Sequence, residues 1–273
     1  MTQECPIEQK SLPQFVKTAG EIYHNAVVYD YGNGCIDIMA CTQPIFREPG
    51  WECEGTDTRV MPAARAAGKK SEGDDMLRSM RRARSKLRRL AMANEFEFFV
   101  TLTLDKTRID RYDPKIIIKA LNRWLDNMVR RNGLRYVLVP EFHTLKEGEE
   151  VPAIHFHGFF AGENLPVVDS GHKDTCGETV YNLPQWPYGF STAIRLRGEY
   201  PRAVAYVCKY IGKQQGQRPM GRWYYSGGGL KDPPKEYKDL GAGAYNALSA
   251  RNDAIEFDTP GGKMLVIHTK LEV

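Results

Sequence analysis

The run AIHFHGFF, residues 153–160, constrains the fold more than any other stretch of the chain. It is apolar, aromatic-rich and short, the pattern of a β-strand. Side chains alternate across a strand, so His155 and His157 point to one face while Phe156 and Gly158 point to the other. Two imidazoles side by side on one face form half of a metal site if a further oxygen or nitrogen ligand lies opposite. Otherwise they are ordinary hydrogen-bonded histidines of a sheet. The choice depends on which elements flank the run.

Upstream, FEFFVTLTLD at 96–105 reads as a strand buried on one or both faces. Asp113 as N-cap, Pro114 at the first helical position and Gly133 past the end bracket a helix over 114–132, with Ile117, Ile118, Leu121, Leu125 and Met128 on its apolar side. RYVLVPEFH at 135–143 is a second strand, and TLKEGEEVPA returns the chain to the histidines. A hairpin pairing His143 with His155 places Glu141 opposite His157. Glu141 and His143 share a face by the same period of two, so either is placed to complete a metal site.

The remaining segments fall into three groups. Residues 1–20 read as a loosely ordered lead-in. A hairpin follows over 22–46, with Gly32, Asn33 and Gly34 at its turn, and then a glycine- and charge-rich loop over 47–75. A helix over 74–92 carries an apolar stripe of Leu77, Met80, Ala83, Leu87, Leu90 and Ala91. Its other faces carry Arg78, Arg81, Arg82, Lys86, Arg88 and Arg89. The chain as a whole is only mildly basic, at formal net charge +4, so this local cluster matters more than the total. Its density fits a phosphate backbone or, less specifically, a solvated basic face. After the histidine strand come a loop over 163–189, a strand at 190–197, a helix over 200–214, and a short strand ending in prolines. A C-terminal helix and a hairpin turning at Pro260, Gly261 and Gly262 close the chain. This divides it into an N-terminal hairpin and flexible segment (1–73), a central domain (74–235) and a C-terminal extension (236–273).

The six cysteines show no C-x-x-C spacing, which argues against a structural zinc or a secreted disulfide framework. The N-terminus lacks the pattern of a signal peptide, and no apolar run approaches a membrane span, so the expected location is the cytoplasm.

In YVCKYIGK, Tyr206 and Tyr210 stand four apart and share one helical face. Val204, Val207, Cys208 and Ile211 form a separate stripe, so this helix can pack without its tyrosines. Lys209 and Lys213 each lie three residues beyond a tyrosine, placed to favour phenolate or neutralise a phosphate. Two imidazoles, a carboxylate and a tyrosine pair together suit phosphodiester cleavage. A divalent cation would polarise the phosphate while a tyrosine oxygen attacks, leaving a 5′-phosphotyrosine and a 3′-OH.

FVTLTLD, then PEFH with HFHG, then YVCKYIGK resemble the three motifs of rolling-circle replication initiators of the HUH endonuclease superfamily. The double tyrosine, NLPQWPYGF and RWYYSGGGLKDPP are similar to the phage-type members, found in small phages and related plasmids. The resemblance covers about residues 75–235. It implies an α+β fold with a ferredoxin/RRM-like core, a central antiparallel sheet flanked by helices, with the tyrosine helix against the metal face. It implies His155 and His157 as metal ligands, Glu141 or, departing from the pattern, His143 as the third, and Mg²⁺ or Mn²⁺ as the cation. Tyr206 and Tyr210 would be the nucleophiles, with Lys213 or Lys209 assisting. The partners implied are single-stranded and origin DNA. Because there is no G-x-x-x-x-G-K-[ST] motif, unwinding and synthesis would fall to a host helicase and polymerase. The competing readings are an HUH transposase or relaxase, a nucleic-acid-binding module without catalysis, and a zinc hydrolase, which would leave the tyrosines unexplained.

Overall fold

A computed structural model describes residues 22–48, 72–144, 151–213, 218–259 and 262–270. The lead-in over 1–20, most of the loop over 47–75 and the turn residues Pro260 and Gly261 lie outside them. The chain divides into two compact units, one of Met1–Arg65 with Pro233–Val273 and the other of Ala66–Asp232.

The first unit opens with β1 (Ile22–His24), β2 (Ala26–Asp30), β3 (Cys35–Cys41) and β4 (Phe46–Glu48). β2 and β3 form the expected hairpin, with Gly32 and Gly34 at positive φ in its turn.

The second unit holds α1 (Glu72–Met92), β5 (Phe98–Thr103), α2 (Pro114–Asn132), β6 (Arg135–Phe142), β7 (Ile154–Ala161), β8 (Val168–Lys173), β9 (Thr179–Asn182), β10 (Ser191–Arg195), α3 (Tyr200–Lys213) and β11 (Tyr225–Gly227). Its seven strands form one antiparallel sheet in the order β11-β6-β7-β5-β10-β9-β8. β7 lies between β5 and β6, which α2 connects, so the centre is a split β-α-β unit. The fold class is therefore α+β with a central antiparallel sheet, as the motif order implies. The chain returns to the first unit with β12 (Glu236–Lys238), α4 (Ala242–Ser249), β13 (Ala254–Thr259) and β14 (Gly262–Lys270). There β14 pairs with β3, so the N- and C-terminal hairpins form one sheet in the order β12-β2-β3-β14-β13.

α2 begins and ends where its local chemistry dictates. The Asp113 carboxylate accepts from Lys115 N at 2.7 Å, and Gly133 takes the left-handed conformation (φ 60°) while its N–H closes the last turn. The helix buries Ile117, Leu121, Trp124, Leu125 and Met128 against Phe98, Val100, Leu102, Phe156 and Phe160 from the even-numbered face of β5 and β7. Each such side chain contributes roughly 1.5–3 kcal/mol on burial, enough to fix which face of the sheet is closed. The odd-numbered face is left to α1 and α3. Tyr200 joins these two helices at their ends, its hydroxyl lying 2.8 Å from the carbonyl oxygens of both Ala91 and Asn94. Burial pushes that phenol well above its ordinary range.

Residues 168–182, expected as loop, form the hairpin β8–β9 at the sheet edge. All the side chains of its two strands are exposed or half-buried, so no hydrophobic alternation marks it, and a register shift around Gly171 (φ 74°) further blurs the period.

Candidate metal and tyrosine site

β6 and β7 pair with Glu141 opposite His155 and Val139 opposite His157. The expected register, with His143 opposite His155, is therefore off by two residues. A shift of two keeps every side chain on its face, so Glu141 still meets the histidines from the same side. Its Oε2 lies 3.0 Å from His155 Nε2 and 3.0 Å from His157 Nε2. These three residues form the one group among those described that can hold a metal ion, with ligand atoms all within 4.8 Å of one another. His143 stands outside it. Its Nδ1 is 3.0 Å from Thr144 O, and its ring meets that of His155 edge-on at 5.2 Å.

One carboxylate oxygen shared by two imidazoles suits a cation held between them. The donor set, one anionic oxygen and two neutral nitrogens, also fits a divalent metal with positions left open for phosphate oxygens. Burial opposes the charged form of Glu141, but the hydrogen bonds to His155 and His157 outweigh it and hold the carboxyl far below the usual range. For His157 burial dominates and pushes the imidazole below its ordinary 6.5, with the charges of His155 and Lys213 adding to the effect. A neutral imidazole beside a charged carboxylate is the protonation state a metal requires.

A pH dependence follows, and both groups give it the same sign. Their folded pKa values lie below the unfolded ones, so the metal-free chain loses stability as pH falls, first below 6.5 through His157 and then below 4.5 through Glu141. The denaturant midpoint of wild type in chelator should drop more between about pH 7 and about pH 5 than that of His157→Gln. Parallel curves would contradict the assignment for His157.

Thr101 is absent from the residues the motifs point to, yet its Oγ1 lies 3.0 Å from His157 Nδ1. A hydrogen-bond partner on the second ring nitrogen fixes an imidazole's orientation and tautomer. The alternation in FVTLTLD carries the signal: Phe98, Val100 and Leu102 are buried in the core, leaving Phe99, Thr101 and Thr103 on the histidine face. In contrast to His157, His155 has its Nδ1 buried without a partner.

α3 places the tyrosines asymmetrically. Tyr206 is 49% exposed, whereas Tyr210 is 4% exposed and stacked on His157 with ring centroids 4.1 Å apart. The expectation that α3 packs without its tyrosines thus fails for Tyr210, which joins Val204, Val207, Cys208 and Ile211 on the buried side. The Tyr210 hydroxyl donates to Tyr206 Oη at 2.8 Å. Burial, that hydrogen bond and the Tyr206 and Glu141 charges together raise Tyr210 well above the ordinary phenol range. Lys213 lies 3.4 Å from Glu141 Oε1 and 4.3 Å from the centre of the Tyr210 ring. Lys209 is exposed.

On α1 the cationic residues divide by burial. Arg81, Arg82 and Lys86 are exposed, as is Arg84, which belongs with them although it lies outside the cluster read from the sequence; Arg78, Arg88 and Arg89 are half-buried. Arg78 pairs with Asp75 at 3.7 Å and Arg89 donates to Ser85 at 2.8 Å. Leu77, placed in the apolar stripe, is 44% exposed, while Ala83, Leu87, Leu90 and Ala91 are buried.

The span from β5 to the end of α3 thus contains the sheet, the triad and both tyrosines. Residues 97–215 match a family model of replication-associated proteins, the ORF2 type. The match supports a replication initiator and, with it, a role in DNA replication and DNA binding. No curated protein and no solved structure matches the chain. Among the described residues no helix is long and apolar enough to cross a membrane, and Cys35, Cys41, Cys176 and Cys208 are free.

Proposed function

We propose that the chain is a rolling-circle replication initiator of the HUH type that nicks single-stranded DNA at an origin and rejoins strands at termination. The observation that carries this reading is the convergence of Glu141, His155 and His157 beneath Tyr210, within a span matching a replication-associated family. Glu141, His155 and His157 would hold a divalent cation, Mg²⁺ or Mn²⁺, which when bound would polarise the scissile phosphate.

The chain's own residues supply the rest of the chemistry. The triad faces the two phenols, so a phosphate seated there lies against Tyr206 and Tyr210. One tyrosine oxygen forms a bond to phosphorus, the bond from phosphorus to the 3′ oxygen breaks, and the phenolic proton ends on that oxygen. The products are a 5′-phosphotyrosine and a free 3′-OH. Lys213 lies against the Tyr210 ring, where its charge favours phenolate and offsets phosphate charge. The hydrogen bond between the phenols lets the second tyrosine accept the next junction when the first is occupied. Priming of synthesis from the 3′-OH then falls to a host polymerase and helicase in the host cytoplasm. A transposase or relaxase would use the same residues; the family match favours the initiator.

The direct test incubates the chain with labelled single-stranded origin DNA and Mn²⁺ or Mg²⁺, followed by denaturation. A labelled band at the mass of protein plus DNA is expected; its absence with every strand tested would overturn the proposal. Binding should also weaken steeply with salt, and replacing Arg81, Arg82 and Arg84 with alanine should reduce the log–log salt slope by about 2, at ~0.7 per lost phosphate contact. An unchanged slope would remove α1 from the DNA interface.

A further inference from the structure

Phe190 is 71% exposed, the highest fraction among the large apolar residues described. It immediately precedes β10, where Ser191 pairs with Leu102 and Thr192 with Thr101, and the Phe190 carbonyl accepts from Thr103 N at 2.8 Å. Thr103 in turn pairs with His155, and His155 with Glu141. Glu141, His155, Thr103 and Phe190 therefore form one row across four strands. Neighbouring strands lie about 4.8 Å apart, so Phe190 stands roughly 10 Å from His155 along that row. The core-facing residues of β10 are Ser191 and Ala193, which leaves Phe190 and the exposed Thr192 on the histidine face.

The position of this ring is built rather than accidental. The preceding segment is anchored from below by two indoles: Trp186, 3% exposed, donates to Thr103 O at 3.0 Å, and Trp124 donates to Gln185 O at 2.6 Å. Gly189 brings the backbone so close to β5 that a Cβ there would overlap Thr103 O and lie 2.8 Å from Asp105 N. The segment is pinned while its one large apolar side chain is left in solvent. Arg108, exposed, reaches the same segment with its guanidinium 3.5 Å from Pro187 O, which adds a cation beside the ring.

We infer that Phe190 is a stacking platform for an unpaired base of single-stranded DNA, next to the phosphate held at the triad. An exposed aromatic in line with the reactive row, flanked by an arginine, matches the stacking surface and cationic track used for single strands. The inference rests on the proposed nicking function for the phosphate beside it, but not for the binding itself. Stacking of a flanking base would hold the strand in register, so that one phosphate rather than its neighbour meets the triad.

The test is fluorescence anisotropy with a labelled oligothymidylate in chelator, where no cleavage occurs. Phe190→Ala should weaken binding roughly tenfold to a hundredfold, Phe190→Leu nearly as much, and Phe190→Trp should bind at least as well as wild type. Thermal unfolding should be unchanged in all three, since the ring is in solvent. Equal affinities across the set, or a wild type that does not bind oligothymidylate, would overturn the platform. The expected ranking in a chain that forms no covalent adduct would leave the platform standing and overturn the nicking reading instead.

Discussion

Replacing His157 with phenylalanine should abolish Mn²⁺ binding and lower metal-dependent cleavage by more than 100-fold, beyond the ~10–100-fold typical of losing an outer-shell partner. Phenylalanine is the informative substitution because His157 has two roles. Its Nε2 faces Glu141 at 3.0 Å, and its ring stacks on Tyr210 at 4.1 Å and lies near-parallel to Phe99 at 6.0 Å. An alanine would remove both functions and unseat the tyrosine, whereas phenylalanine keeps the stack and deletes only the nitrogens. Thr101→Val should fall between, weakening the metal by about 10–100-fold while leaving the imidazole in place. Calorimetric titration with Mn²⁺ measures all three proteins, and a His157→Phe variant that binds like wild type would remove the triad from consideration as a metal site.

Gly158→Ala should cost more than about 3 kcal/mol of folding stability, above the ordinary range for overpacking a core. A Cβ at this position would overlap Val137 O and lie 2.8 Å from Val137 C and 2.9 Å from Leu138 Cα. All three are backbone atoms of β6, so no rotamer change relieves the clash and the two central strands must part. That movement also carries Glu141 away from His155, so stability and metal binding should fall together. The contrast is Gly133→Ala, where nothing lies within 4 Å of the added carbon and only the positive φ of 60° is penalised, at about 1–2 kcal/mol. Denaturant midpoints decide; a loss below about 1 kcal/mol for Gly158→Ala would mean that β6 and β7 are less tightly coupled than described.

Much of this arrangement is legible in the sequence because its signals are local. Asp113, Pro114 and Gly133 mark the ends of α2 through chemistry confined to one turn each. The period of two places His155, His157 and Glu141 on a common face, and that conclusion survives the two-residue error in register because parity is unchanged by an even shift. The register itself is set by the turn joining β6 to β7 and by Gly158 against Val137, which no local pattern reveals. Thr101 and Phe190 stay hidden for the same reason, since each acquires its place only when strands distant in sequence are laid side by side. The pairing of β3 with β14 is more remote still, joining Cys35–Cys41 to residues near the opposite end of the chain. The burial of Tyr210 escapes the helical wheel, which shows which residues share a face but not how closely α3 lies over His157.

The chain itself provides the means for the most direct test of covalent nicking. Tyr206 and Tyr210 are separated by Lys209, and Arg202 and Lys213 flank the pair, so trypsin releases them in different peptides, 203–209 and 210–213. After reaction with single-stranded origin DNA and Mn²⁺, nuclease trimming and trypsin digestion, mass spectrometry should find a nucleotide phosphate on one or both of these peptides. It should be absent from the chain carrying Tyr206→Phe and Tyr210→Phe together. A nucleotide attached to any other peptide, or an adduct that persists in the doubly substituted chain, would contradict tyrosine attack at this site.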